Sequence, residues 1–220
     1  MDRIGILGTG QVGLTLAERL ASLGFAVTVG ARSAASDSLA AAARLGVDTG
    51  SFADAAASAD LLINATNGLH SVDALAAIDE ATLTGLTVLD LANALAPDPG
   101  GFPTPVVSAD DSVGQRLQRA FPGARIVKSL CTMNCAVMAD PSLVPGDHVA
   151  FLSGDDVAAK DQVRELLQAM GWRPVQLIDL GGIETAAAQE LLMPLWMRVT
   201  IGRGSNAARF NWAINAADRD

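Results

Sequence analysis

Tyrosine is absent from this 220-residue chain, and histidine and cysteine occur only twice each. Without tyrosine there is no Tyr–Lys pair to protonate a carbonyl during reduction. Two cysteines, Cys131 and Cys135, are too few for a disulfide framework. Their spacing suits one helix face, and with no second ligand pair nearby no metal site is expected. Basic residues are in the minority, 15 against 24 acidic, for a net charge of −9. That excludes the broad basic surface of a nucleic-acid or anionic-membrane binder, though not a local phosphate site. Nor does any unbroken apolar run approach the roughly 18 residues of a membrane span. A strand pattern from residue 3 leaves no room for a signal peptide, so the expected compartment is the cytoplasm.

What is present is a hydrophobic content of 50% with 18% charged residues, enough for a sizeable core. Strand and helix patterns alternate, which predicts an α/β fold: a doubly wound, mostly parallel sheet with a helical C-terminal appendix. Strands are expected at Arg3–Leu7, Ala26–Gly30, Asp60–Thr66, Leu86–Leu91, Ala124–Ser129, His148–Ser153 and Pro174–Asp179. Helices are expected at Leu14–Leu23, Ser38–Leu45, Phe52–Ser58, Val72–Ile78, Val113–Phe121 and Val157–Met170. Gly46-Val47 reads as a short edge element, and the proline-rich stretch Pro97–Pro105 as an ordered surface loop. Thr185–Asn215 reads as a long helical tail interrupted at Pro194 and around Gly202-Arg203-Gly204. The expected division is residues 1–180 as a nucleotide-binding unit and 181–220 as a tail for packing and pairing.

The first strand runs straight into Gly8-Thr9-Gly10-Gln11-Val12-Gly13, a G-x-G-x-x-G turn that opens a helix. In that context the glycines serve a dinucleotide: Gly8 for the tight turn, Gly10 for approach to a pyrophosphate, Gly13 for helix–strand packing. The helix N-terminus offers free N–H groups to phosphate. An acidic residue near the end of the second strand would hold the ribose 2′-hydroxyl of NAD, yet no acid stands between Glu18 and Asp37. Arg32 and Ser33 occupy the place instead, a guanidinium and a hydroxyl suited to the 2′-phosphate of NADP.

Ligands of open α/β sheets bind at the carboxyl ends of the strands. Thr66 and Asn67 are therefore candidates for the ribose or carboxamide, with a simple Asn-Gly turn as the other reading. Asn93 is a further cofactor candidate, while Asp90 reads equally as a helix cap. His70 is the candidate proton donor, against a solvated loop histidine, and Asn134 a candidate to hold a carboxamide or acceptor carbonyl. His148 reads as structural. Cys131 would be a nucleophile only with a lowered pKa and a base such as His70. Lys128 reads as a strand end in solvent, with phosphate neutralisation as the alternative.

Several of these segments together resemble one family. Ile6–Gly10 and Val27–Arg32 look like the start of the NADP-dependent deazaflavin (coenzyme F420) reductases. Lys128–Asn134 sits where relatives carry a Lys-Ala-Phe-Asn-Thr-like run. Met170–Pro174 with Ile178–Gly181, and Glu190–Trp196, resemble its late strand and terminal helix. The resemblance implies hydride transfer between NADPH and a flat acceptor, deazaflavin or flavin, in a homodimer paired through the C-terminal helices. Two stretches depart from deazaflavin-specific members. Cys131-Thr132-Met133-Asn134 stands in place of a His-Thr-Ile-Pro run, and Thr66–His70 lacks a Pro-Trp pair. Two other functions stay open: a reductase of a small imine or ketone using His70, and a non-enzymatic NADPH sensor.

Overall fold

Short apolar runs bounded by turn residues become strands, and the periodic segments between them cross over as helices. The computed structural model describes residues 1–97, 103–203 and 209–215. Ten strands are formed: β1 Arg3–Leu7, β2 Ala26–Ala31, β3 Asp48–Ser51, β4 Leu61–Asn64, β5 Thr87–Asp90, β6 Leu95–Ala96, β7 Thr104–Pro105, β8 Arg125–Ser129, β9 Ala150–Ser153 and β10 Leu177–Asp179. The α-helices are α1 Gln11–Ser22, α2 Ala40–Ala43, α3 Phe52–Ala57, α4 Ser71–Ala76, α5 Glu80–Leu83, α6 Val113–Ala120, α7 Cys135–Ala139, α8 Val157–Ala169, α9 Ala186–Glu190 and α10 Met193–Gly202. Eight strands make one sheet in the order β10-β9-β8-β5-β4-β1-β2-β3, while β6 and β7 pair separately. Every pairing in the large sheet is parallel except β8 with β9, where Lys128 faces Ser153.

Because β2 leaves β1 on one side and β4 joins it on the other, a crevice opens at the carboxyl ends of β1 and β4. Two apolar layers cover the sheet. Ile4, Ile6, Ile63 and Leu89 pack against Leu16 and Leu20 of α1, Val137 of α7 and Leu166 of α8. Leu7, Leu62 and Val88 face Ala55 of α3, Leu75 of α4 and Leu117 of α6. Among the described residues no helix is long and apolar enough to cross a membrane.

Several boundaries differ from the sequence reading. Helix α1 begins at Gln11, within the glycine turn, because Gly10 takes the extended N-cap conformation. The edge element is Asp48–Ser51 instead of Gly46-Val47, since Gly46 adopts φ +76° and ends the preceding turn. Its polar sequence hid it. The expected helix Ser38–Leu45 is a 3₁₀ turn, Asp37–Leu39, followed by the four-residue α2. The short helix α5 went unread. Of the stretch Pro97–Pro105, residues 98–102 lie outside the described set, and its end forms strand β7. The expected strand Pro174–Asp179 is a 3₁₀ turn, Pro174–Gln176, followed by β10.

Two larger corrections concern the C-terminal half. Cys131 does not share a helix face with Cys135: α7 starts at Cys135, and Cys131 lies in the turn before it. The long tail is two helices. Pro194 lies in the first turn of α10, where its missing N–H costs nothing, so the expected break there falls between α9 and α10, and α10 ends at Gly202 where the second break is expected. Residues 209–215 are not helical. The Val149 N–H donates to the Trp212 carbonyl at 2.8 Å, and His148 bridges antiparallel to Ala213.

Trp172 joins α8 to this half of the molecule. It is 1% exposed, its Nε1 donates to the Met138 carbonyl at 3.2 Å, and the His148 ring meets it edge-on at 5.1 Å. Trp172→Ala should destabilise the fold by about 3–5 kcal/mol through the cavity it leaves, read as a drop in the denaturant midpoint.

Candidate functional site

The glycine turn has the geometry its three glycines are needed for. Gly8 adopts φ +117°, and a Cβ there would stand 2.7 Å from the Ala65 carbonyl oxygen at the end of β4. A Cβ on Gly13 would stand 2.1 Å from the Gly8 carbonyl oxygen, so α1 can sit on the turn only without a side chain there. Gly10 differs, since its Cβ would meet nothing within 4 Å. It faces open space at the start of a twelve-residue helix whose N-cap makes no side-chain hydrogen bond. The first N–H groups of α1 are left for an anion, which fits a pyrophosphate.

Beside the turn lies a cavity of about 380 Å³ lined by Gly8, Thr9, Gly10, Arg32, Phe52, Thr66, Asn67 and His70. The apolar Ala74 and Ala77 complete one wall. A second cavity of about 300 Å³ adjoins it, lined by Arg32, Phe52, Ser36 and Ser38. Arg32 thus belongs to both, and its exposed guanidinium makes no hydrogen bond or ion pair with a described residue. Ser33 is also exposed but lines neither, its Oγ accepting from the Ala35 N–H at 3.2 Å. Ser36, Ser38, Phe52 and the acidic Asp73 are among the lining residues that the sequence reading missed. The serines could have been noticed as a hydroxyl-rich run after Arg32, whereas Phe52 reaches the site only because α3 packs back across β2.

The other candidates divide between two places. His70 lines the same cavity as Arg32, and Asn67, whose Oδ1 accepts from the Leu69 N–H at 3.0 Å, caps the Gly68–His70 turn that carries it. Asn93 and Asn134 follow the carboxyl ends of β5 and β8, and the Asn93 carbonyl accepts from the Gly68 N–H of the Asn67–His70 turn at 3.1 Å. Asn93 Nδ2 donates to the Cys131 carbonyl at 2.8 Å, and its buried Oδ1 has no partner. Asn134 Oδ1 accepts from the Ala136 N–H at 2.9 Å as the N-cap of α7. The buried Thr132 hydroxyl also lacks a partner. An unpaired buried polar atom costs about 1–3 kcal/mol, so these two mark a place that a polar ligand or water completes.

The turn that carries them is tightly held. Leu130, 1% exposed, adopts φ +58°, a left-handed conformation that costs a non-glycine residue about 1–3 kcal/mol. Ser129 Oγ pins the strand end by donating to the Phe151 carbonyl at 2.6 Å, and Trp212 Nε1 donates to the Thr132 carbonyl at 3.3 Å. Burial pushes the Cys131 thiol up to about 12, so it stays neutral and is no nucleophile at physiological pH.

Lys128 overturns its sequence reading completely. Far from ending a strand in solvent, it is fully buried between Asp90 Oδ2 and Glu190 Oε1, each at 2.9 Å, and also contacts the Ala92 carbonyl. Burial works against its charge, but the two carboxylates outweigh that and raise its pKa above the ordinary lysine value. Asp90 is accordingly an ion-pair partner and not a helix cap. Glu190 in turn accepts from the Val113 and Gly114 N–H groups at the start of α6, at 2.9 and 3.2 Å.

These features agree with the relatives the chain resembles. The model of a family described as NADP oxidoreductase coenzyme F420-dependent matches residues 3–94. The crystal structure of an Arthrobacter sp. FB24 protein assigned as an F420-dependent NADP reductase is 41% identical, with a TM-score of 0.90, covering 98% of this chain and all of that one. A reductive aminase from Aspergillus terreus, solved with NADPH4, cyclohexanone and allyl amine, shares the fold at a TM-score of 0.66 and 21% identity, over 93% of this chain and 62% of that one. Among curated proteins, the rat (Rattus norvegicus) metalloreductase STEAP3 is 26% identical over 204 residues, 90% of this chain but 38% of its own length. The chain therefore spans about two fifths of that relative. On the glycine turn, the crevice and these matches, the chain belongs to the NADP oxidoreductase coenzyme F420-dependent family of NADP-dependent oxidoreductases.

Proposed function

We propose that the protein transfers a hydride between NADPH and a flat ring acceptor, a deazaflavin such as coenzyme F420 or a flavin. The observation that carries this is the convergence of the glycine turn, Arg32 and Thr66 on one cavity. In this reading the backbone of Gly8, Thr9, Gly10, Gln11, Val12 and Gly13 holds the pyrophosphate, and Arg32 the 2′-phosphate. Ser33 contributes to the rim beyond it. Thr66 and Asn67 meet the adenosine half. His70, in the same cavity as Arg32, then packs beside the adenine. Asn93 Oδ1 and Thr132 Oγ1, both unpaired, face the carboxamide, and Asn134 shapes the acceptor wall by fixing the start of α7. Bound cofactor supplies the hydride; the chain aligns and shields the two rings.

An imine or ketone reductase needs a proton donor at the reacting end, and of the cavity's lining residues His70 would have to supply it. Incubating the protein with NADPH and a panel of deazaflavin, FMN and FAD should give loss of reduced-nicotinamide absorbance with at least one. Tight NADPH binding with no turnover on any acceptor would favour the sensor reading.

Arg32→Ala should weaken NADPH binding by about tenfold to a hundredfold, the worth of a charge-assisted hydrogen bond, and leave NADH nearly unchanged. Titration of both cofactors by fluorescence checks this, and equal weakening would remove the 2′-phosphate role. We read residues 1–180 as the cofactor-binding unit and 181–220 as the pairing tail. Leu195 and Ile201 of α10 are 51% and 61% exposed, which supports a homodimer through these helices. Sedimentation should show a dimer that Leu195→Glu converts to monomer.

A further inference from the structure

The buried charges reach the cofactor cavity through one amide. Asp90 gives Oδ2 to Lys128, while its Oδ1 accepts from Asn64 Nδ2 at 2.8 Å and from the Ala92 N–H at 3.1 Å. An Asn side chain can in principle be turned either way round. Here an ion-paired carboxylate, which only accepts, faces it, so the nitrogen must point at Asp90. The same Nδ2 donates to Ser71 Oγ at 3.0 Å. The Asn64 oxygen is thereby turned towards Thr66, accepting from its N–H at 3.3 Å and from its Oγ1 at 2.7 Å. An amide oxygen also only accepts, so the Thr66 hydroxyl hydrogen is committed inwards. Asn64, Asp90 and Lys128 are all fully buried, so no water competes for these orientations. What Thr66 Oγ1 keeps is lone pairs. One faces Ser71 Oγ at 3.0 Å, and the other remains for the cavity that Thr66 lines.

We propose that Asp90, acting through Asn64, fixes Thr66 Oγ1 as a hydrogen-bond acceptor in the cavity, so that Thr66 recognises a ribose hydroxyl of the dinucleotide and not one of its phosphates. Asp90 and Asn64 are positioning residues, because neither lines the cavity, and Thr66 makes the contact. A phosphate oxygen has no hydrogen to offer, whereas a ribose hydroxyl does. The inference rests on the NADPH reading above and specifies which group of that cofactor meets the end of β4.

The test is a set of NADPH dissociation constants by fluorescence titration, with an unfolding midpoint for each variant. Wild-type protein that binds no NADPH would sink the cofactor reading itself, and the comparisons below apply once binding is seen. Thr66→Val should weaken NADPH about three- to tenfold, the worth of one neutral hydrogen bond, and Thr66→Ser should restore it. Asp90→Asn puts an amide opposite Asn64, which frees Asn64 to turn over and the Thr66 hydrogen to swing to the cavity. It should weaken binding by a similar factor, and the Thr66→Val/Asp90→Asn double variant should bind no more weakly than Thr66→Val alone. A role of Asp90 in stability alone would lower the midpoint without this non-additivity. If Asp90→Asn does not fold, Asn64→Ala removes the same director and is read the same way. An unchanged constant in Thr66→Val, or additive losses in the double variant, would overturn the proposal.

Discussion

Lys128 carries its charge where water does not reach, between Asp90 at the end of β5 and Glu190 at the end of α9. Taking such ions out of water costs several kcal/mol each, so the arrangement holds only with every partner in place. Each carboxylate is therefore also spent on backbone: Asp90 on the Ala92 N–H, Glu190 on the first N–H groups of α6. A helix N-terminus carries a partial positive charge, which helps offset the excess of two carboxylates over one ammonium. In this way a single cluster fixes the end of β5, the end of β8, the start of α6 and the last turn of α9 relative to one another.

That rigidity matters because one part of the candidate site lies at the ends of β5 and β8, which this cluster holds. The cavity with Arg32 and His70 sits by β1, β2 and β4; the turn with Asn93, Thr132 and Asn134 sits by β5 and β8. The Gly68 N–H donates to the Asn93 carbonyl at 3.1 Å and joins the two, so the cluster's hold on the end of β5 extends to the loop that lines the cavity. The strained Leu130 is tolerated for the same reason: Ser129, Asn93 and Trp212 over-determine the turn around it.

Much of this was legible in the sequence, and the failures have physical causes. The glycine turn could be read because its glycines fall at fixed offsets between a strand and a helix, and Gly8 and Gly13 answer close steric demands there. Arg32 could be read from its place after a strand. Lys128 could not, since a lysine at a strand end is ordinarily solvated, and its partners are 38 positions upstream and 62 downstream, counted from residue 90 and to residue 190. Ser129–Asn134 was located correctly but not its conformation, because a left-handed leucine has no sequence signal. Strand β3 was missed because Asp-Thr-Gly-Ser lacks the apolar alternation of a strand and pairs on one side only. The breaks near Pro194 and Gly202 are legible in the tail, but the non-helical path of residues 209–215 is not, because it is His148 and Val149, outside the segment, that hold Trp212 and Ala213.

The position of Glu190 has a consequence for how the chain is made. Synthesis delivers β1 to β5, and with them the whole glycine turn and Arg32, long before residue 190 leaves the ribosome. Until then Lys128 has one carboxylate instead of two, and α6 has lost the acceptor for its first N–H groups. The nucleotide crevice is thus encoded early and locked late. A nascent chain that carries the complete fingerprint is still waiting for its closing ion pair, which only residue 190 supplies.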